Sequence, residues 1–561
     1  MPEQQRISVG ELAAAFLERC GVGAAFGVIS IHNMPILDAI GRRAARAAER
    51  GAPVPIRFVP ARSEPGAVNM ADAYARVSGG LGVAVTSTGT AAGNACGAMV
   101  EALTAGTPVV HLTGQIEVPY LDRELAYIHE APEQLDMLRA VSKAAYRVRS
   151  AQTALGTLRE AVRVALTPPR GPVSVEIPID IQATEIDAPA SLAPLPVAPP
   201  QAATAELDAL AERLARAKRP LLWLGGGARH AVDAVRRLVE IGFGVVTSVQ
   251  GRGILAEDHP MTLGAFNLHE PVEQFYASCD AMLVVGSRLR GNETLKYKLK
   301  LPRPLYRIDA DPESQGRCYP DDYFVAGDSA ATLNALADRL AGRIEVDPAF
   351  ARDLAATREV AEKLVRDSLG PYQRLVAELQ RAAGRDFVWV RDVTISNSTW
   401  GNRSLRIGGP RDGVHALGGG IGQGVPMAIG AALAAGGRKT LCLVGDGGLQ
   451  VNIGELATLV QEKADVLVLL MNDRGYGVIR NIQDAHYGGR RYYADLHTPD
   501  FAQLAQSIAL PLHRVRDLGQ IGATLRAALA QPGPVMIEID MTAVGPFAQN
   551  FSGPPVRKGA A

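Results

Sequence analysis

The sequence predicts an α/β chain built as three doubly wound parallel-sheet domains, and three observations carry that expectation. Short apolar runs alternate with amphipathic stretches along the chain, the pattern of βαβ crossovers. In the middle of the chain those runs close on Gly, Ser or Asp, residues suited to the ligand crevice at the carboxyl ends of an open sheet. Two interruptions then divide the 561 residues into three blocks of similar style, within the domain number such a length suggests.

The first block contains the strand candidates FGV (26–28), IRFVP (56–60), VAVTS (83–87), VVHLTG (109–114) and VSVEIP (173–178). Residues 187–206, rich in Pro and Ala and without helical or strand period, read as a linker. The middle block offers LLWLGGG (221–227), VVTSV (245–249), AMLVVGS (281–287) and LYRIDAD (305–311). A charged helical segment over 343–371, stopped by Gly370-Pro371, leads to the third block, with FVWV (387–390), TLCLVGDG (440–447), VLVLLMND (466–473) and VMIEID (535–540). The expected domains are therefore 1–184, 205–343 and 372–545.

Composition narrows the function. Lys and Arg together number 58, as do Asp and Glu, so the chain lacks the basic excess of a nucleic-acid binder, and 47% hydrophobic residues is globular rather than disordered composition. Apolar runs such as VLVLLM (466–471) are far too short to span a bilayer, and no basic stretch followed by an apolar one opens the chain, so a soluble, cytoplasmic protein is expected. Cys20, Cys96, Cys279, Cys318 and Cys442 are scattered and lack a C-x-x-C pair; they read as reduced, buried thiols.

The sharpest constellation lies in the third block. A strand runs into Gly445-Asp446-Gly447-Gly448, and the next ends at Asn472-Asp473-Arg474-Gly475. One crossover separates Asp446 from Asp473, so both carboxylates can stand at the ends of parallel strands, where oxygen ligands suit magnesium and phosphate oxygens complete its shell. GDGG alone reads equally as a tight turn. With the Asn-Asp pair 24 residues beyond GDG, it resembles the signature of thiamine-diphosphate-dependent enzymes, in which Asp446, Asp473 and the Gly475 carbonyl would hold magnesium. The family commonly has a second Asn where this chain has Asp473, which adds negative charge.

The resemblance extends further. RSEPGAVNMADAYARVSG (62–79) is similar to the family segment whose Glu, here Glu64, pairs with the aminopyrimidine ring and promotes the tautomer that deprotonates the thiazolium carbon. A carboxyl held from water suits that role, and Ser63 replaces the His usual before it. Taken alone, Glu64 would read as a capping or surface group. TSTGTAAGNACG and the later Gly114-Gln115 resemble a family glycine segment and the polar residue after it, with Thr90 and Ala91 in place of Pro and Gly. RGPVSVEIPIDI (170–181) and GRGILAEDHPMTLG (251–264) fit as well. GGGIGQGVPMAIGAALA (418–434) places Ile421 where the family bends the cofactor over a bulky apolar side chain. Thr394, Ser396, Asn397 and Ser398, with Gly445, Gly447 and Gly448, stand as diphosphate contacts.

The chain is thus identified as a member of the acetolactate synthase, 2-oxo acid decarboxylase and benzaldehyde lyase type. That resemblance implies pyrimidine-binding, central Rossmann-like and diphosphate-binding domains, a homodimer or homotetramer with active sites between subunits, and a 2-oxo acid or hydroxyketone substrate. His32 falls where benzaldehyde-lyase-like carboligases carry a His, with a loop or packing role as the alternative. His129 stands where relatives often have Gln, and His111, inside a strand, reads as structural. Val478 and Ile479 occupy the stretch where pyruvate decarboxylases carry Glu, and Ile482 stands where acetolactate synthases often have Trp. An acetolactate-synthase-like reaction is expected, with a benzaldehyde-lyase-like or acyl-CoA-type lyase as alternative. A non-catalytic homologue or an NAD-linked oxidoreductase would leave Glu64, Asp446 and Asp473 without roles. FAD or an ADP-like nucleotide in the middle block stays open, because LWLGGGARH contains no clean G-x-G-x-x-G. The Gly- and Pro-rich ending, 543–561, reads as a lid or a disordered tail.

Overall fold

The computed structural model describes residues 6–553, so the end of the expected lid, 554–561, lies outside the described residues. Each block forms a parallel sheet. In the first, the strands lie in the order Arg57–Pro60, Ala24–Gly27, Gly82–Thr86, Val109–Gln115, Val173–Pro178, Ala144–Arg147. In the third, the order is Gly413–His415, Phe387–Arg391, Lys439–Gly445, Val466–Asn472, Val535–Asp540, Leu512–Val515. Numbered along the chain within each sheet, both read 2-1-3-4-6-5. The five-stranded middle sheet reads 2-1-3-4-5 through Gly244–Thr247, Pro220–Leu224, Ala281–Val285, Leu305–Asp309 and Tyr323–Ala326. An antiparallel pair, Arg6–Ser8 with Glu185–Asp187, closes the first layer.

The central strands are continuous apolar runs because helices cover both faces; all seven residues of Val466–Asn472 are buried. The strands of the three parallel sheets that sequence patterning missed are short edge strands of mixed polarity, AAYR, YFVA, GVH and LHRV, and the short antiparallel pair was missed as well. An edge strand needs no unbroken apolar run, so its signal is weak.

The outer sheets share a core. Helix Glu64–Ser78 and helix Gly424–Ala434 each connect the second and third strands of their sheets, and they pack on one another. The contact is so close that a methyl group on Gly430 would fall on the Met70 carbonyl oxygen. Val68, Met70, Met427 and Ile429 are buried in this shared core, while the middle sheet has cores of its own.

All five cysteines are free, as expected, but only Cys279 and Cys442 are buried. Cys318 is exposed on a loop at φ 70°, and Cys20 and Cys96 are half-buried, so a scattered thiol does not by itself report a core position. Among the described residues no helix is long and apolar enough to cross a membrane.

Candidate active site

The third sheet reverses its winding between Phe387–Arg391 and Lys439–Gly445, the place where an open α/β sheet forms its ligand crevice. The first strand exits through Asp392, Val393 and Thr394 and the second through Asp446. A β-carbon on Gly445 would lie 3.0 Å from Thr394 Oγ1. In the next strand Met471 pairs with Gly445, so Asp446 and Asp473 leave neighbouring strand ends side by side.

The Asp473 amide donates to Asp446 Oδ1 at 3.2 Å, and Asp446 Oδ2 is buried without a partner. Burial, and then the charge of Asp473, push the Asp446 carboxyl up to about 7. Burial raises Asp473 too, opposed by Arg480 at 2.9 Å. A buried carboxylate this close to a part-buried one calls for a proton or a cation between them. Asn472 is engaged elsewhere, donating to Glu538 at 2.8 Å, so Asp473 is the member of the pair that faces Asp446. Gly475, two residues on, is held by a bridge to Asp495. Carboxylate oxygens, one of them orphaned, and a nearby backbone carbonyl fit a hard divalent cation. Among the described residues no three His, Cys, Asp or Glu side chains gather for a metal, so such an ion would draw its other ligands from backbone, water or phosphate.

Sequence reasoning missed Asp392, which organises this turn. Fully buried, it accepts from the Val393 amide at 2.7 Å and the Gly422 amide at 3.0 Å. Burial raises its carboxyl to about 6, backbone donors opposing. A side chain on Gly448 would come within 2.8 Å of Asp392 Oδ2, and one on Gly447 within 2.7 Å of the Tyr476 ring; both glycines are demanded by close approach. The signal was available, since Asp392 ends a strand at the switch point. Asn452 holds the same loop by donating to the Gly422 carbonyl at 2.8 Å, so Gly422 is anchored at both its amide and its carbonyl, next to half-buried Ile421. Ser396 Oγ and Asn397 Oδ1 are buried without partners. Asn397 Oδ1 lies against Gly401 in its own helical turn, and Ser398 is half-buried.

In the first sheet the switch point brings Ser30 and Ser87 to 2.6 Å. Glu64 opens its helix with Ser63 as cap, and Ser63 Oγ accepts from the Gly66 amide at 3.0 Å. The expected desolvation of Glu64 is incomplete within one chain. It is half-exposed, its hydrogen-bond partner is Asn94 at 3.2 Å, and no residue of the third block bonds to it. Ser63 itself reaches Asn452 at 3.1 Å and Glu455 at 3.0 Å, tying the first layer to the third. Gln115 is buried and turned inward: Oε1 accepts from Thr88 Oγ1 and the Ile116 amide, and Nε2 points at Glu176. The sequence analysis also missed Gln134, a buried hub bonded to Thr88, Gly89 and Glu176. His32 is buried against Gly114 with Nδ1 unpartnered, and its ring stands 5.0 Å from that of His129. Burial and His129 lower His32 below the usual imidazole range, with Glu117 opposing. His111 is structural as read, buried between Thr86 at 2.8 Å and Ser174 at 3.2 Å.

The middle sheet contributes a cavity of about 690 Å³ at its own switch point, floored by Gly226, Gly227 and Gly286. Arg76, Arg229, Arg290 and Arg411 line it, and burial with the charges of Arg76 and Arg411 lowers Arg229 to about 9.

Two sheets wound alike, and a carboxylate pair with orphaned polar atoms at a glycine-bounded crevice, define an α/β enzyme built to hold a phosphorylated cofactor. The comparisons make this specific. The chain matches the N-terminal TPP binding domain of thiamine pyrophosphate enzymes over residues 7–139, their central domain over 207–336 and their C-terminal TPP binding domain over 395–539. It is 31% identical over 558 residues to a probable 2-ketoarginine decarboxylase of Pseudomonas aeruginosa, covering 96% of this chain and 95% of that protein. It is 27% identical over 500 residues to a probable acetolactate synthase large subunit of Methanocaldococcus jannaschii, covering 85% and 84%. A probable chloroplastic acetolactate synthase 2 of Oryza sativa subsp. japonica is 28% identical over 562 residues, covering 94% and 82%. The chain belongs to the thiamine pyrophosphate enzymes and is of their acetolactate synthase and decarboxylase type.

Proposed function

We propose that the protein cleaves the bond between the carboxylate and carbonyl carbons of a 2-oxo acid and delivers the resulting carbon nucleophile to a proton or a second carbonyl. The observation that carries this reading is the pairing of buried Asp446 with part-buried Asp473 beside Gly445–Gly448, a site suited to magnesium and a diphosphate. Asp446, Asp473 and the Gly475 carbonyl would hold the ion. Thr394, Ser396, Asn397 and Ser398 would flank the diphosphate, and Ile421 would stand under the ring system. When bound, thiamine diphosphate would supply a ring carbon acidic enough to add to a carbonyl and a cationic ring to take up the electron pair left by carbon dioxide.

This chain's residues then have separate tasks. Glu64 would hold or release a proton at the pyrimidine ring, Asp392 fixes the loop that carries Ile421, and His32 would stand over the substrate side with an unpartnered nitrogen. We infer that Glu64 serves a second copy of the chain, in a homodimer or homotetramer. Two features support it. Glu64 lacks a partner from its own third block, and exposed Ile29, Ile31, Met34 and Ile128 surround the His32 edge as an apolar patch suited to association. Arginines around the central cavity suit the diphosphate of a nucleotide such as FAD or ADP, which heat release and absorbance at the flavin bands would detect.

The near full-length relative named as a 2-ketoarginine decarboxylase supports a 2-oxo acid donor and release of an aldehyde. The test is product identification with thiamine diphosphate and magnesium across pyruvate, benzoylformate, 5-guanidino-2-oxopentanoate and benzoin. Carbon dioxide with an aldehyde marks a decarboxylase, and carbon dioxide with a hydroxyketone marks a carboligase. Cleavage of benzoin without gas would instead support the lyase branch, and silence on every 2-oxo acid would overturn the proposal.

A further inference from the structure

We propose that Glu117 is the specificity residue of this site, pairing with a cationic group, a guanidinium above all, at the far end of the substrate. The proposal rests on the 2-oxo acid reading above and goes beyond it by naming the other end of the molecule.

Glu117 lies two residues beyond the strand Val109–Gln115, at the carboxyl edge where the first sheet carries Ser30, His32 and Ser87. Its Oε2 is buried and has no hydrogen-bond partner. Among the described residues its Oε1 receives the Tyr127 hydroxyl alone, at 3.5 Å, which is the limit of a hydrogen bond. Other carboxylates in this region are matched: Glu176 and Asp122 both pair with Arg147. Among the described residues no Lys or Arg forms an ion pair with Glu117. A carboxylate oxygen withdrawn from water and left unpaired is costly, so such a group marks a place a ligand completes.

The surroundings point to the same ligand chemistry. His32 next to Glu117 is almost fully buried with Nδ1 unpartnered, so two polar groups with unmet bonding capacity share one edge. Tyr127 stacks on Tyr120 with ring centroids 4.6 Å apart, which sets an aromatic surface beside the acid. A planar guanidinium matches a carboxylate with two parallel bonds and lies well on an aromatic face. The segment 117–133 carries Glu117, Asp122, Glu124, Glu130 and Glu133 against Arg123 alone, a local field that draws a cation and repels a second acid. His32 would then face the reacting end of the substrate while Glu117 takes its tail.

The experiment compares kcat/KM for 5-guanidino-2-oxopentanoate and for neutral 2-oxohexanoate in wild type, Glu117→Gln and Glu117→Asp. Wild type should prefer the guanidino acid. Glu117→Gln, which keeps the size and a bond to Tyr127, should lower that kcat/KM by about 30-fold while the neutral substrate changes by less than about 2-fold. Glu117→Asp should recover part of the preference. Binding of 5-guanidinopentanoate, which cannot react, should weaken in parallel by calorimetry. Equal loss on both substrates, or loss accompanied by dissociation of the assembly, would make Glu117 a structural partner and overturn the proposal, as would a wild type without preference. If wild type turned over no 2-oxo acid, the functional proposal would fall, and guanidinopentanoate binding that is indifferent to Glu117→Gln would sink this one separately.

Discussion

Replacing Arg76 by Met should destabilise the whole molecule in a pH-dependent way, because among the described residues Arg76 is the cation that hydrogen-bonds both of two buried acids, Asp72 and Glu101. Its guanidinium donates to both oxygens of Asp72, to Glu101 at 2.9 Å, to the His415 carbonyl at 2.8 Å and to Thr107 at 3.3 Å. The side chains of Arg76, Asp72 and Glu101 are 3%, 0% and 1% exposed. Glu101 in turn accepts from the Leu417 and Gly418 amides at 2.7 and 2.6 Å, so the cluster also positions the loop that carries Ile421. Met keeps most of the volume and removes the charge. Breaking a buried ion pair from one side costs about 3–5 kcal/mol. At roughly 2–4 °C per kcal/mol for a cooperative unit of 150–250 residues, the melting temperature should fall by roughly 6–20 °C.

The pH dependence separates charge from packing. Burial already holds Asp72 above the ordinary carboxylate range in spite of Arg76, and losing the cation raises it further. A carboxyl whose folded pKa exceeds its unfolded value makes the native state the better proton binder. Stability therefore falls as pH rises through that window, and the deficit closes once both states are protonated, below about pH 4. Scanning calorimetry at one fixed scan rate, from pH 4.5 to 8, should show the gap between variant and wild type widening with pH. A gap of under about 2 °C at neutral pH, or one of equal size at every pH, would refute the electrostatic reasoning.

Three other outcomes follow from the geometry. His111 is buried neutral with its pKa lowered to about 4, so the native state loses stability as pH falls from about 6.5 towards 4; His111→Gln should flatten that acid limb, by up to about 3 kcal/mol in a denaturant titration at pH 4. Gly430→Ala places a methyl on the Met70 carbonyl between two helices that cannot part cheaply, and should cost about 1–3 kcal/mol by the same titration. Mixing and reassembling the inactive variants Glu64→Gln and Asp446→Ala should restore roughly a quarter of wild-type activity, since half of randomly formed dimers are hybrids and each has one intact site. No recovery in verified hybrids would place Glu64 and Asp446 of the same chain in one site.

Each feature's legibility in the sequence follows from where its signal is stored. Covered strands such as Val466–Asn472 announce themselves as apolar runs, and Asp446 and Asp473 stand out because acids at strand ends have a defined chemistry. Asp392 carries the same strand-end signal; Glu101 and Gln134 are invisible because their roles lie in backbone amides and in partners from distant segments, and Glu101 meets Gly418 across more than three hundred residues. Glu117 illustrates the difference best. In sequence it is one acid in an acidic loop, the commonest kind of surface feature. Only the fold removes its oxygen from water, denies it an arginine and sets a tyrosine beside it, and a group becomes informative when its bonding capacity goes unmet.

The matching order of the outer sheets explains why the site divides as it does. Each of the two contacting helices joins the second strand of its sheet to the third, so equivalent parts of two alike layers meet in one core. Each layer keeps its own switch point, one furnished with Ser30, Ser87 and His32, the other with Asp446, Asp473 and Asp392. Two crevices made by the same winding but lined with different chemistry can divide one reaction, the acids and glycines gripping a charged cofactor while the histidine and Glu117 edge selects what is brought to it. On that division, variants of the Asp446 edge should fail on every substrate, whereas variants of the Glu117 edge should change only which substrate is chosen.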